Sequence, residues 1–210
     1  MNAKNFKEFK DPSGKIIKYD PTVFEIKDDN YLHFRDEYEG PIDLPDDLTS
    51  ASYMFERCQI KPGCYLRSFN TSNITDMSYM FKYCRMPDNF SLGDNFDTSN
   101  VTNMAYMFNG CIIPADFVLN NKFDTSKVTD MKYMFSECKL PEKFILGNKF
   151  DTSNVTDMSY MFSGCWLRDN FSLGDKFDTS NVTRMFSMFA ESRFPENFSL
   201  GDKFNTINVE

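Results

Sequence analysis

The chain has 210 residues, enough for one sizeable domain or one solenoid, with a net charge of −8, 23 Phe, 10 Tyr and a single Trp. Lys and Arg are scattered and outnumbered by Asp and Glu, which argues against nucleic acid as the main partner, because phosphate binding needs a dense basic surface. No stretch approaches the length of a membrane-spanning helix, so membrane insertion is not expected, and the first ten residues hold no apolar run long enough for a signal peptide.

Residues 1–45 do not repeat. Asp11-Pro12-Ser13-Gly14 is a turn signal between Phe6/Phe9 and Ile16-Ile17-Lys18-Tyr19, which predicts a β-hairpin. Tyr31-Leu32-His33-Phe34 reads as a further strand. This segment is expected to cap the first coil of a repeat array, since a stack of repeats needs a terminal unit with a polar outer face.

Residues 46–210 repeat. The same phrase opens at Phe69, Phe96, Phe123, Phe150, Phe177 and Phe204, always 27 residues apart. A fixed period of roughly 20–50 residues signals a solenoid, whose coils bury their apolar sides by stacking. A degenerate coil covers 46–68, five full coils cover 69–203, and 204–210 begins another. Val155, Met158, Met161 and Phe162 fall on one face of a short helix, with Ser153 or Asn154 as its cap and Asp157 in its first turn. Phe171-Ser172-Leu173 alternates as a strand does, as do Phe90/Leu92, Phe117/Leu119, Phe144/Leu146 and Phe198/Leu200. The expected fold class is an α/β solenoid, leucine-rich-repeat-like, with one short strand and one short helix per 27-residue coil and a β-rich N-terminal cap.

The columns of the repeat carry little chemistry. Cys84, Cys111, Cys138 and Cys165 read as small buried thiols. Cys58 and Cys64 break the period, and a bridge between them belongs only to an exported protein. The Asp97/Asp124/Asp151/Asp178 column suits turn and cap chemistry better than calcium. Asn-Val-Thr at Asn100, Asn154 and Asn181 matches the glycosylation pattern, but the repeat itself explains it. One His, His33, and no phosphate-binding Gly-rich loop leave no catalytic, cofactor or metal site to name.

The phrase Asn-Val-Thr-Asp-Met-Ser-Tyr-Met-Phe-Ser-Gly-Cys at 154–165 closely resembles the BspA-type leucine-rich repeats of bacterial surface proteins and lipoproteins. The resemblance covers about 69–209 well and 46–68 weakly. It implies a solenoid, a cell-surface or secreted location, and adhesion or binding of a host or partner protein. The competing reading is an intracellular regulator or inhibitor that binds and blocks a protein partner, which the lack of a leader favours; on the sequence alone, the chain is cytoplasmic.

Positions that vary along the array are the ones available to a partner. Flanking and within the alternating segment these are Asn89, Ser91, Asp116, Val118, Lys143, Ile145, Asn170 and Ser172, with Val118 and Ile145 as a small apolar patch. A second candidate patch is Trp166, Arg168, Arg184, Phe186 and Arg193, because Trp and Arg are enriched among interface hot spots. The C-terminal coil lacks a distinct polar cap, so a homodimer through that edge is a third candidate.

Overall fold

The computed structural model describes residues 5–168 and 171–210. Two antiparallel hairpins come first. Strand β1 (Lys7–Lys10) pairs with β2 (Ile16–Tyr19), and β3 (Phe24–Ile26) pairs with β4 (Leu32–Phe34). The first turn is closed by Asp11, whose backbone bonds Gly14 and Lys15. The Asp11 carboxylate accepts from the Ser13 hydroxyl at 2.6 Å and, across 38 residues, from the Thr49 hydroxyl at 2.8 Å. That second bond pins the hairpin to the first coil. Strands β5 (Pro41–Ile42) and β6 (Tyr65–Leu66) then pair in parallel.

Beyond residue 46 the chain winds into stacked coils. Parallel bridges join Ser50 to Asp76, Asp76 to Asn103, Asn103 to Asp130, Asp130 to Asp157 and Asp157 to Arg184. A second file runs from Gln59 through Arg85 and Ile112 to Lys139, and joins Trp166 to Arg193.

Between these two files the expected helix does not form, and no described residue is helical. The reason lies in the backbone donors. Met104, Tyr106, Phe108 and Gly110 each give their N–H to a carbonyl of the next coil, at Asp130, Lys132, Met134 and Ser136, over 2.8–3.0 Å. The intervening Met107, Asn109 and Cys111 bond back three residues, to Met104, Tyr106 and Phe108. This alternation needs left-handed residues, and it places them at Tyr79, Tyr106, Tyr133 and Tyr160 (φ 57–60°). Four residues later the same conformation recurs, at Gly110 and Gly164 among others. A helix of eight residues is marginal in water, whereas a turn ladder satisfies the same groups and ties each coil to its neighbour.

The expected strand per coil is corrected too. Residues 171–173 and their equivalents form no ladder; turns such as Phe117 N–H to Pro114 carbonyl shape them instead. Their inside-outside alternation is nevertheless real: Phe90 and Leu92 are buried while Ser91 is exposed. The architecture is therefore a helix-free stack of turn-built coils under two β-hairpins.

Identical residues at one pitch produce ladders. Phe55, Phe81, Phe108, Phe135, Phe162 and Phe189 stack with centroids 5.1–5.7 Å apart. The cap joins this file through Phe34, which lies 5.1 Å from Phe55 and donates its N–H to the Met54 carbonyl. A buried threonine clamps each pair of coils. Thr125 Oγ1 donates to the Asp151 carbonyl at 2.7 Å and accepts the Asp151 N–H at 2.8 Å. All six cysteines are buried free thiols.

Candidate protein-binding surface

Core columns leave a limited set of side chains to meet a partner. Val118 and Ile145 occupy equivalent positions in neighbouring coils and are 60% and 56% exposed. Ser91 and Ser172 flank them along the array and are also exposed, but each hydroxyl accepts from a glycine amide two residues on, at 3.1 Å. These serines build their own turns, and the two apolar residues between them do not. Asn89, Asp116 and Lys143 are exposed beside this row, while Asn170 lies outside the described residues.

The second patch divides in two. Trp166 is 50% exposed and is met by two guanidiniums, Arg168 4.3 Å and Arg193 4.7 Å from its ring centre. Arg193 reaches it because Trp166 and Arg193 are bridged between successive coils. Cation–π contacts of this kind contribute on the order of 0.5–1 kcal/mol each at exposed sites, enough to hold the indole in one orientation. Arg184 is instead engaged elsewhere: its Nε donates to Asp157 Oδ2 at 2.9 Å. Burial pushes the Asp157 carboxyl up, but the Ser159 amide and the Arg184 guanidinium outweigh it and hold the group below the ordinary carboxylate range. Phe186 follows two residues after Arg184 and is 56% exposed.

The acidic columns serve the backbone. Asp97, Asp124, Asp151 and Asp178 each accept the amide of the serine two residues on, at 2.9–3.0 Å. Asn100, Asn154 and Asn181 donate side-chain amides to carbonyls of the preceding coil, over 2.6–2.8 Å. His33 is buried with Nε2 2.9 Å from Asp29. Among the described residues, no group of three or more His, Cys, Asp or Glu could hold a metal ion, and no helix is long and apolar enough to cross a membrane.

At the C-terminal coil Phe186, Phe194, Leu200 and Ile207 are exposed. The amides of Met185, Ser187, Phe189 and Glu191 have no acceptor among the described residues, whereas their equivalents in the coil before all do. Every such donor points along the stack in one direction. Two copies meeting through this row alone would set donors against donors, so a homodimer at that edge needs contacts outside the row.

Two surface features escaped the sequence reading. One is a cleft of about 700 Å³ between the first hairpin and residues 41–47, walled by Phe6, Ile16, Lys18 and Leu44. The other is a half-buried ladder of tyrosines, Tyr53, Tyr79, Tyr106, Tyr133 and Tyr160, stacked 4.5–4.6 Å apart. Lys82 sits over two of its rings, 5.0 Å from Tyr79 and 5.1 Å from Tyr106. The 26- or 27-residue recurrence of Tyr is the signal in the sequence that points to this ladder.

A family model described as "Mycoplasma protein of unknown function, DUF285" matches residues 49–142 and 113–210. No curated protein and no solved structure matches the chain.

Proposed function

The chain belongs to the DUF285 family, and on that premise we propose that it is a non-enzymatic protein-binding scaffold. The observation that carries this reading is Trp166. The repeated phenylalanines are mostly core rungs, but this single indole stands half in solvent with guanidiniums 4.3 and 4.7 Å from its ring centre. Trp and Arg together, presented on a rigid surface, are the residues that dominate protein interfaces. The coil-to-coil bonds fix the backbone beneath it, so little ordering entropy is lost on binding.

The repeats resemble those of BspA-type surface proteins, and that likeness supports adhesion, or binding of a host or partner protein, as the setting. Val118 and Ile145 form a second exposed element, at a position where consecutive coils display variable residues.

The test is a photo-cross-linking amino acid placed at Trp166, and separately at Ile145, in the full chain exposed to surface extracts and to lysate of its native cells. The reading expects one discrete protein adduct, lost on Arg168→Ala/Arg193→Ala in the first case or on Val118→Ser in the second. Adducts that are diffuse, or that survive both changes, would remove the proposal.

A further inference from the structure

The tyrosine ladder ends one rung early. Tyr53, Tyr79, Tyr106, Tyr133 and Tyr160 stack with planes within 11° of each other, each on a left-handed residue. In the following coil that backbone position belongs to Ser187, with φ of 48°. The register is kept, because Tyr160 donates its N–H to the Phe186 carbonyl at 2.7 Å and Phe162 donates to Met188 at 2.9 Å. Ser187 therefore stands where a sixth ring would stand, with a side chain that stops at Oγ.

Two consequences are visible at this rung. Among the described residues Tyr160 has a ring partner on one face only, Tyr133. Meanwhile the coil's aromatic residue has moved one position earlier, to Phe186, which projects 56% exposed. At the neighbouring position Ser159 meets Phe186 in the next coil, and its buried Oγ has no hydrogen-bond partner among the described residues.

We infer that the open face of Tyr160 above Ser187, beside Phe186, is a slot for an aromatic side chain of a protein partner, with tyrosine as the residue it takes. The ladder itself sets the chemistry. Each ring of the array is met by another flat ring at 4.5–4.6 Å, and an incoming ring at the same pitch gains the offset stacking that a branched aliphatic side chain does not. The ladder also supplies one side of the site ready-made, because the five rings already lock one another in place. The slot adds a specificity element to the protein-binding reading and rests on it.

The test titrates the full chain, labelled in its tyrosine rings, with N-acetyl-tyrosinamide, and follows the Tyr160 ring resonances by NMR, assigned with Tyr160→Phe. N-acetyl-leucinamide is the control ligand. The expected result is a saturable upfield shift of the Tyr160 ring protons in the wild type and in Ser187→Ala. That shift is absent in Ser187→Tyr, whose own ring completes the ladder, and absent with the leucine compound. Ser187→Tyr is compatible with the fold, since tyrosine holds this conformation in five other coils. No shift, an equal shift with the leucine compound, or a shift that persists in Ser187→Tyr overturns the slot. The cross-links at Trp166 and Ile145 report on the wider surface, so loss of the slot and loss of the binding reading are read separately.

Discussion

Replacing Glu137 by glycine should stabilise this protein. Glu137 is exposed, makes a backbone bond to the Ser163 carbonyl, and holds φ of 57°. A side chain in the left-handed region costs roughly 1–2 kcal/mol, from the clash of Cβ with the following carbonyl. Glycine removes that cost but adds about 0.5–1 kcal/mol of unfolded-state entropy. The net expectation is a gain of about 0.5–1 kcal/mol, or roughly 1–4 °C in Tm for a chain of this size. Gly110 and Gly164 already occupy the equivalent site in the coils on either side, with φ of 64° and 69°. The reverse change, Gly164→Ala, meets Glu137 Cγ at an ordinary 3.5 Å, so its cost is the backbone strain alone. Urea and thermal melts of the two variants give the answer. In a helix the sign inverts, since glycine there costs about 1 kcal/mol; a loss of stability in Glu137→Gly would refute the turn ladder.

Other changes probe other columns. Phe108→Ala removes a fully buried ring in contact with Phe81, Phe117, Phe123 and Phe135. It should cost about 3–5 kcal/mol in denaturant titrations, against clearly less for the half-buried Phe189→Ala. Thr125→Val keeps the shape but strips both part-buried bonds to the Asp151 backbone, and should cost about 1–3 kcal/mol. Alkaline pH should unfold the protein. Burial pushes the Cys165 thiol up to about 12 from an ordinary value of 9.0. Burial, then the neighbouring Tyr79 and Tyr133, pushes the Tyr106 phenol up to about 12 from 10.0. Above these ordinary values the unfolded chain sheds protons that the folded chain keeps. Stability is therefore fully present below pH 9 and falls steadily toward pH 12, which melts recorded across that window will show.

The period was the most legible feature of the sequence, because stacking places like side chains on like side chains. Phenylalanine, threonine and tyrosine recur every 26 or 27 residues, and each becomes a ladder. The local conformation was not legible. Val155, Met158, Met161 and Phe162 are all buried, as a helix face would be, but a ladder of turns buries the same positions. The cue to the difference was Gly110 and Gly164, set inside what read as helical coils. Alternation at Phe171-Ser172-Leu173 correctly separates inside from outside, yet it carries no strand, because neighbouring coils bond elsewhere. At the surface, variability along the array picks out Val118, Ile145 and Trp166, which are exposed. Arg184 groups with Trp166 in sequence as an arginine of the kind enriched at interfaces, but it stands one coil from Asp157 and pairs with it.

Amide hydrogen exchange, residue by residue, tests the helix-free stack most directly. Strong protection is expected at Met104, Tyr106, Phe108 and Gly110, whose N–H groups bond the next coil, and fast exchange at Met185, Ser187, Phe189 and Glu191, whose N–H groups meet no acceptor among the described residues. A helix in each coil would protect its own amides wherever it stood. Protection of Phe189 and Glu191 equal to that of Phe108 and Gly110 would contradict the account.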